Sequence, residues 1–152
     1  MKKIGLGIIL LFVTTISYGT IYDVEVIKVI DGDTIKVSVD VWPKWKTEVN
    51  VRLNGVNAPE SQRPITPIGY SNLISQELKQ CEKNAGIKAK NFVFDFLKDK
   101  DIKLSNVRLG KFAGRVLGKI LADGNDLSVI LIRAGHARNY DGGKRGPWCL
   151  VE

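Results

Sequence analysis

Histidine occurs once in this 152-residue chain and cysteine twice, which leaves little from which to build an imidazole-driven site or a cysteine-rich metal centre. His136 reads as incidental rather than catalytic. A long apolar run is also missing. The one candidate, Gly5 to Ile16, is shorter than the ~20 residues a membrane span needs. Lys2 and Lys3 precede it and the small residues of Ser17-Tyr18-Gly19 close it, so residues 1–19 are expected to be a secretory signal cleaved after Gly19. No cysteine lies near that junction, which argues against a lipid anchor. In an exported chain, Cys81 and Cys149 suggest a disulfide, because a metal site asks for more ligands at closer spacing. Acidic residues are the other shortage, at 16 against 23 lysines and arginines. Without Lys2 and Lys3 the balance is 21 basic to 16 acidic, a net charge of +5 that attracts polyanions. Nucleic acid, anionic lipid and acidic polysaccharide all qualify, and charge alone does not choose among them. At 44% hydrophobic and 26% charged, the 152-residue chain has an ordinary soluble composition with room for one domain and one core, expected in residues 20–152.

The most informative stretch runs from Val51 to Glu60. Val49, Val51 and Leu53 alternate with Glu48, Asn50, Arg52 and Asn54, the period of a half-buried strand, so Arg52 points away from the apolar face. Pro59 fixes its own φ and drives Ala58 into an extended conformation, making a stiff corner of Asn57 to Glu60. Strand and corner together deliver a cation, an amide and a carboxylate to one place.

Val24 to Ile30 predicts a strand ending in the turn Asp31-Gly32-Asp33. Ile35, Val37, Val39 and Val41 give a second strand, and Trp42-Pro43-Lys44-Trp45 turns it into the third. Asp33 shares the parity of Ile35 and Val37. A carboxylate on the core-facing register needs a cation or several donors close by. Residues 61–80, interrupted by Pro64, Pro67 and Gly69, read as a loop turning helical towards Leu78. From Glu82 to Lys98 the residues Ala85, Ala89, Phe92, Val93, Phe96 and Leu97 recur at helical spacing and predict a core-packing helix. Ile102 to Arg108 and Gly114 to Leu121 read as two further strands. Asn125 or Asp126 can cap a short helix carrying Leu127, Ile130, Leu131 and Ala134, stopped by Gly135. The order β-β-β-α-β-β-α fits an α+β, mainly β fold: a five-stranded oligonucleotide-binding (OB-fold) barrel, its strands in two antiparallel groups, with packed helices. The segment from Arg138 to Cys149 mixes Lys144, Arg145, Tyr140 and Trp148 among glycines, which suits stacking on bases beside phosphates or a solvated tail.

Taken in order, Val29-Ile30-Asp31-Gly32-Asp33-Thr34-Ile35-Lys36, Val51 to Glu60 and Ala113-Gly114-Arg115-Val116-Leu117 resemble the thermonuclease, or staphylococcal nuclease-like, family over about residues 24–149. The ending Tyr140 to Cys149 looks like that of secreted bacterial members. The resemblance implies a calcium-dependent phosphodiesterase acting on DNA and RNA, secreted or periplasmic, a monomer, free of the membrane once its signal is cleaved. It implies that Arg52 and Arg115 stabilise the phosphate, that Glu60 orients or deprotonates the attacking water, and that Asp33, Asn57 and Ala58 hold calcium, supported by Asp31. The chemistry suits these residue types, since phosphoryl transfer is mainly positioning and charge stabilisation, and a planar guanidinium matches phosphate better than an ammonium. Two positions depart from the family pattern. Asn57 stands where a carboxylate is usual, which should weaken the ion, whose affinity follows ligand charge. Phe112-Ala113 replaces a phosphate-contacting Lys-Tyr pair. Asn57 also keeps open a barrel that binds nucleic acid without cutting it.

Overall fold

The computed structural model describes residues 19–62, 72–111 and 114–149. The expected leader up to residue 18, the whole of the Pro64 to Gly69 stretch and Phe112-Ala113 lie outside the described residues. In chain order the elements are β1 (Ile21–Asp31), β2 (Thr34–Trp42), β3 (Trp45–Leu53), β4 (Val56–Asn57), α1 (Asn72–Leu97), β5 (Ile102–Leu109), β6 (Arg115–Ala122), β7 (Asn125–Asp126), α2 (Leu127–Arg133) and β8 (Arg138–Asn139). The helix α1 starts ten residues earlier than the Glu82 expected from apolar periodicity, because its first turns are mostly polar and carry little of that signal.

The five long strands close into a mixed barrel in the order β3-β2-β1-β5-β6. The antiparallel pairs β1–β2, β2–β3 and β5–β6 are those the hairpin connections dictate, with Trp42 opposite Trp45 at the β2–β3 tip, and β1 also pairs antiparallel with the distant β5. Closure itself is parallel: β3 pairs with β6, Asn50 opposite Arg115 and Arg52 opposite Leu117. Two purely antiparallel groups would have left β3 and β6 as open edges. The period-2 pattern fills the interior with Ile35, Val37, Val51, Leu53, Leu104 and Ile120, all nearly or fully buried. Along β1 a register shift between Val26 and Lys28 interrupts the alternation, and Ile27 faces solvent.

From α1, Ala89, Val93 and Leu97 pack into the core at four-residue spacing. Asp126 caps α2, its carboxylate accepting from the Ser128 N–H at 2.9 Å. His136 packs its ring 4.6 Å from that of Phe92. The two-residue strands β4 and β8 form a separate antiparallel pair, Val56 opposite Asn139 and Asn57 opposite Arg138.

Cys81 of α1 and Cys149 are disulfide-bonded, with Cα atoms 6.3 Å apart and a sequence separation of 68. A loop of that length corresponds to about 4 kcal/mol in the chain-entropy treatment. Replacing both cysteines with serine should therefore lower the melting temperature by about 10 °C or more. Calorimetry of the double variant checks this, and a melt within 2–3 °C of the parent would show that the bridge adds little.

Candidate active site

Three pieces of chain meet on one side of α1, and small residues let them do so. Gly32, in the turn between β1 and β2, sits where a Cβ would lie 2.8 Å from the Cβ of Ala89 and 2.9 Å from that of Ala58. One helical turn earlier, Gly86 leaves room for the backbone of Glu60 and Ser61, which a Cβ would meet at 2.5–2.8 Å. Turn, corner and helix are thus packed backbone against backbone.

This contact places the carboxylates. Asp33 is 2% exposed and fully engaged: Oδ1 accepts from Arg52 Nη1 at 2.5 Å and from the Thr34 hydroxyl at 3.0 Å, while Oδ2 accepts from the Ala58 N–H at 2.8 Å. Arg52 extends its other nitrogen, Nη2, to the Asn57 Oδ1 at 3.3 Å. Its strand face was expected to point away from the core, and it does, yet Arg52 is only 6% exposed because Asp33 and Asn57 cover that end of β3. Asp31 accepts from both the N–H and the hydroxyl of Ser61, which ties the turn to the residue after Glu60.

Glu60 itself meets a residue that local patterns do not reveal. Arg145, 85 positions later, donates from Nη1 to Glu60 Oε1 at 2.7 Å. Burial pushes the Glu60 carboxyl above its ordinary pKa, Asp33 and Asp31 push the same way, and Arg145 pulls it back. The mixed basic and aromatic composition of residues 138–149 was the available signal for Arg145, but it names no partner.

Arg52, Arg108, Lys111, Arg115 and Arg145 line one cleft of about 470 Å³, in which Asp141 is the one acidic residue among the described residues. Arg115 comes from the start of β6, beside β3, so barrel closure brings it to the Arg52 side. A family model for staphylococcal nuclease homologues matches residues 50–146, from Asn50 in β3 through Arg115 and the corner to Gly146. The chain belongs to the staphylococcal nuclease homologue family. The barrel is that family's OB-type fold, and nucleic acid is the substrate class the family implies. A search of the curated proteins found no match.

Members of this family are generally metal-dependent, and the donor chemistry here suits a hard cation. Asp33 Oδ1 and Asn57 Oδ1 converge on the guanidinium of Arg52, so the two oxygens already face one positive charge. Among the described residues, Asp31, Asp33, Asn57 and Glu60 offer oxygens here, with Asp31 and Glu60 close enough to act electrostatically on one another. Oxygen-only sets select calcium, magnesium or manganese over zinc or copper. Among the described residues, no three carboxylate, histidine or cysteine side chains close into a ready cage. An ion here would draw on Asn57 and backbone carbonyls as well as on Asp33.

Proposed function

We propose that this protein is a metal-dependent phosphodiesterase that hydrolyses DNA or RNA as a monomer, using calcium, in the periplasm or outside the cell after loss of residues 1–19. The observation that carries this reading is the basic cleft holding Arg52 and Arg115, with Glu60 tethered to it through Arg145. Glu60 takes a proton from the attacking water as the new P–O bond forms. The bond to the departing nucleoside oxygen breaks, and that oxygen takes a proton from solvent. Arg52 and Arg115 stabilise the charge that accumulates on the phosphate oxygens, the largest single contribution expected in such chemistry. Asp33, Asn57 and the Ala58 carbonyl are the groups that would hold calcium, which when bound would add its own charge to that stabilisation. A binder that does not cut is the second reading, favoured by the amide at Asn57. Hydrolysis of single-stranded DNA by residues 20–152, with calcium and with chelator, separates the two. Cleavage abolished by chelator supports the enzyme, and tight binding without cleavage under both conditions overturns it.

Asn57→Asp should tighten calcium binding and raise activity most at limiting calcium. The new carboxylate replaces an amide of nearly the same size, and its attraction for a divalent ion is several kcal/mol even at an effective dielectric of about 20, before desolvation. Desolvation of a residue only 6% exposed offsets much of this. Titration calorimetry checks it: unchanged or weaker affinity would place Asn57 outside the ion's shell.

A further inference from the structure

We propose that Arg145 is a positioning residue for Glu60, and that residues 138–149 are a clamp built onto the barrel to deliver it. The inference rests on the reading of Glu60 as the group that handles the water. Both ends of the clamp are fixed. At one end β8 pairs with β4, and the Tyr140 N–H donates to the Gly55 carbonyl at 2.9 Å. At the other, Cys149 is bonded to Cys81 of α1. The two ends are also tied to each other, since the Arg138 guanidinium lies 4.0 Å from the Trp148 ring and donates to the carbonyls of Pro147 and Trp148. Between them, the Tyr140 hydroxyl donates to the Gly143 carbonyl at 2.7 Å, and its ring lies 5.8 Å from the Arg145 guanidinium.

An exposed ion pair at a loop would contribute little and hold no geometry. This pair differs, because both side chains are largely covered, at 29% and 23% exposed, and the loop has lost most of its freedom before the pair forms. It also opposes a specific repulsion: Asp31 and Asp33 both act on Glu60, and Arg145 is the cation bonded directly to it. The bond uses only Oε1. In the proposed reaction Oε2 is the oxygen that takes the water's proton, while the bond at Oε1 restrains the carboxylate. Arg145 thus acts through Glu60 rather than on the substrate.

The test is a double-variant cycle on single-stranded DNA hydrolysis under one fixed divalent-ion concentration. Arg145→Ala should lower kcat at least tenfold while KM changes less than about threefold, and Arg145→Lys should retain an intermediate rate. Millimolar guanidinium added to Arg145→Ala should restore part of the lost kcat. Glu60→Gln should abolish most activity, and adding Arg145→Ala to it should cost nothing further. Multiplicative losses, or a rise in KM without a fall in kcat, would show that Arg145 meets the substrate directly and overturn the inference. A full-rate Arg145→Ala beside an inactive Glu60→Gln overturns it and leaves the function standing. A full-rate Glu60→Gln overturns the role of Glu60 itself, and an inactive parent protein removes both.

Discussion

Arg52→Met should cost about 3–5 kcal/mol of stability, and Asp33→Asn in the same chain should restore most of it. At 2% exposure the Asp33 carboxylate is screened by almost no water, and Arg52 is the cation bonded to it. Deleting the guanidinium leaves a buried charge uncompensated and also removes the donor to Asn57. Neutralising Asp33 at the same time removes the penalty, so the two substitutions should be strongly non-additive. Urea denaturation of the two single variants and the double variant measures this coupling. A loss below about 1 kcal/mol in Arg52→Met would mean that the pair is solvated in solution. Arg52→Lys is the milder companion. One ammonium cannot hold Asp33 and Asn57 together, nor present a planar fork to phosphate, so turnover should fall by about a hundredfold with the barrel intact.

The second large effect is expected at a residue with no chemistry. In an exposed helix interior, Gly→Ala stabilises by about 1 kcal/mol. Gly86 should behave oppositely, because its Cβ would meet the Ser61 nitrogen at 2.5 Å and the Glu60 carbonyl carbon at 2.6 Å. Those are backbone atoms, held by Pro59 on one side and by the Ser61 bonds to Asp31 on the other, and they cannot swing away as a side chain would. Overpacking of this kind costs about 1–3 kcal/mol, enough to cancel the helix gain and reverse it. The larger consequence is kinetic, since displacing the Glu60 corner by about 1 Å can cost on the order of a hundredfold in rate. Gly86→Ala should therefore lose activity out of proportion to its stability, while Lys88→Ala on the exposed side should change neither. A Gly86→Ala protein that is more stable and fully active would show that the corner does not rest on the helix.

Alternation alone marked β2 and β3, because a strand records in its sequence which face is covered, whereas Asp33 is buried in the turn before β2, against Arg52. A strand does not record what covers the other face. Arg52 was legible as off the apolar register but not as buried, since Asn57 comes from β4 and Asp33 from the β1–β2 turn. The corner of Asn57 to Glu60 was readable from Pro59, whose ring acts locally. Gly86 gave no sign, because a glycine within a helical pattern looks the same whether it weakens the helix or admits a neighbouring backbone. Arg145 and Glu60 stand 85 positions apart, and the loop between them and the barrel is anchored by contacts that no short window contains.

Because β3 and β6 pair in parallel, Asn50 and Arg115 must find each other across 65 positions, while the β1–β2 and β2–β3 hairpins can form from neighbours. Contacts so distant in sequence form late and slow a fold, since chain must be ordered before they repay it. Arg52 and Arg115 lie on those two strands, and β8 and Arg145 come later still. A chain emerging from the ribosome can therefore hold Asp33, Arg52 and Glu60 without holding a cleft. Until residues 138–149 exist and the barrel shuts, neither the cleft nor the Glu60–Arg145 pair is built, so the arrangement that gathers the cationic side chains is the last part of the fold to be completed.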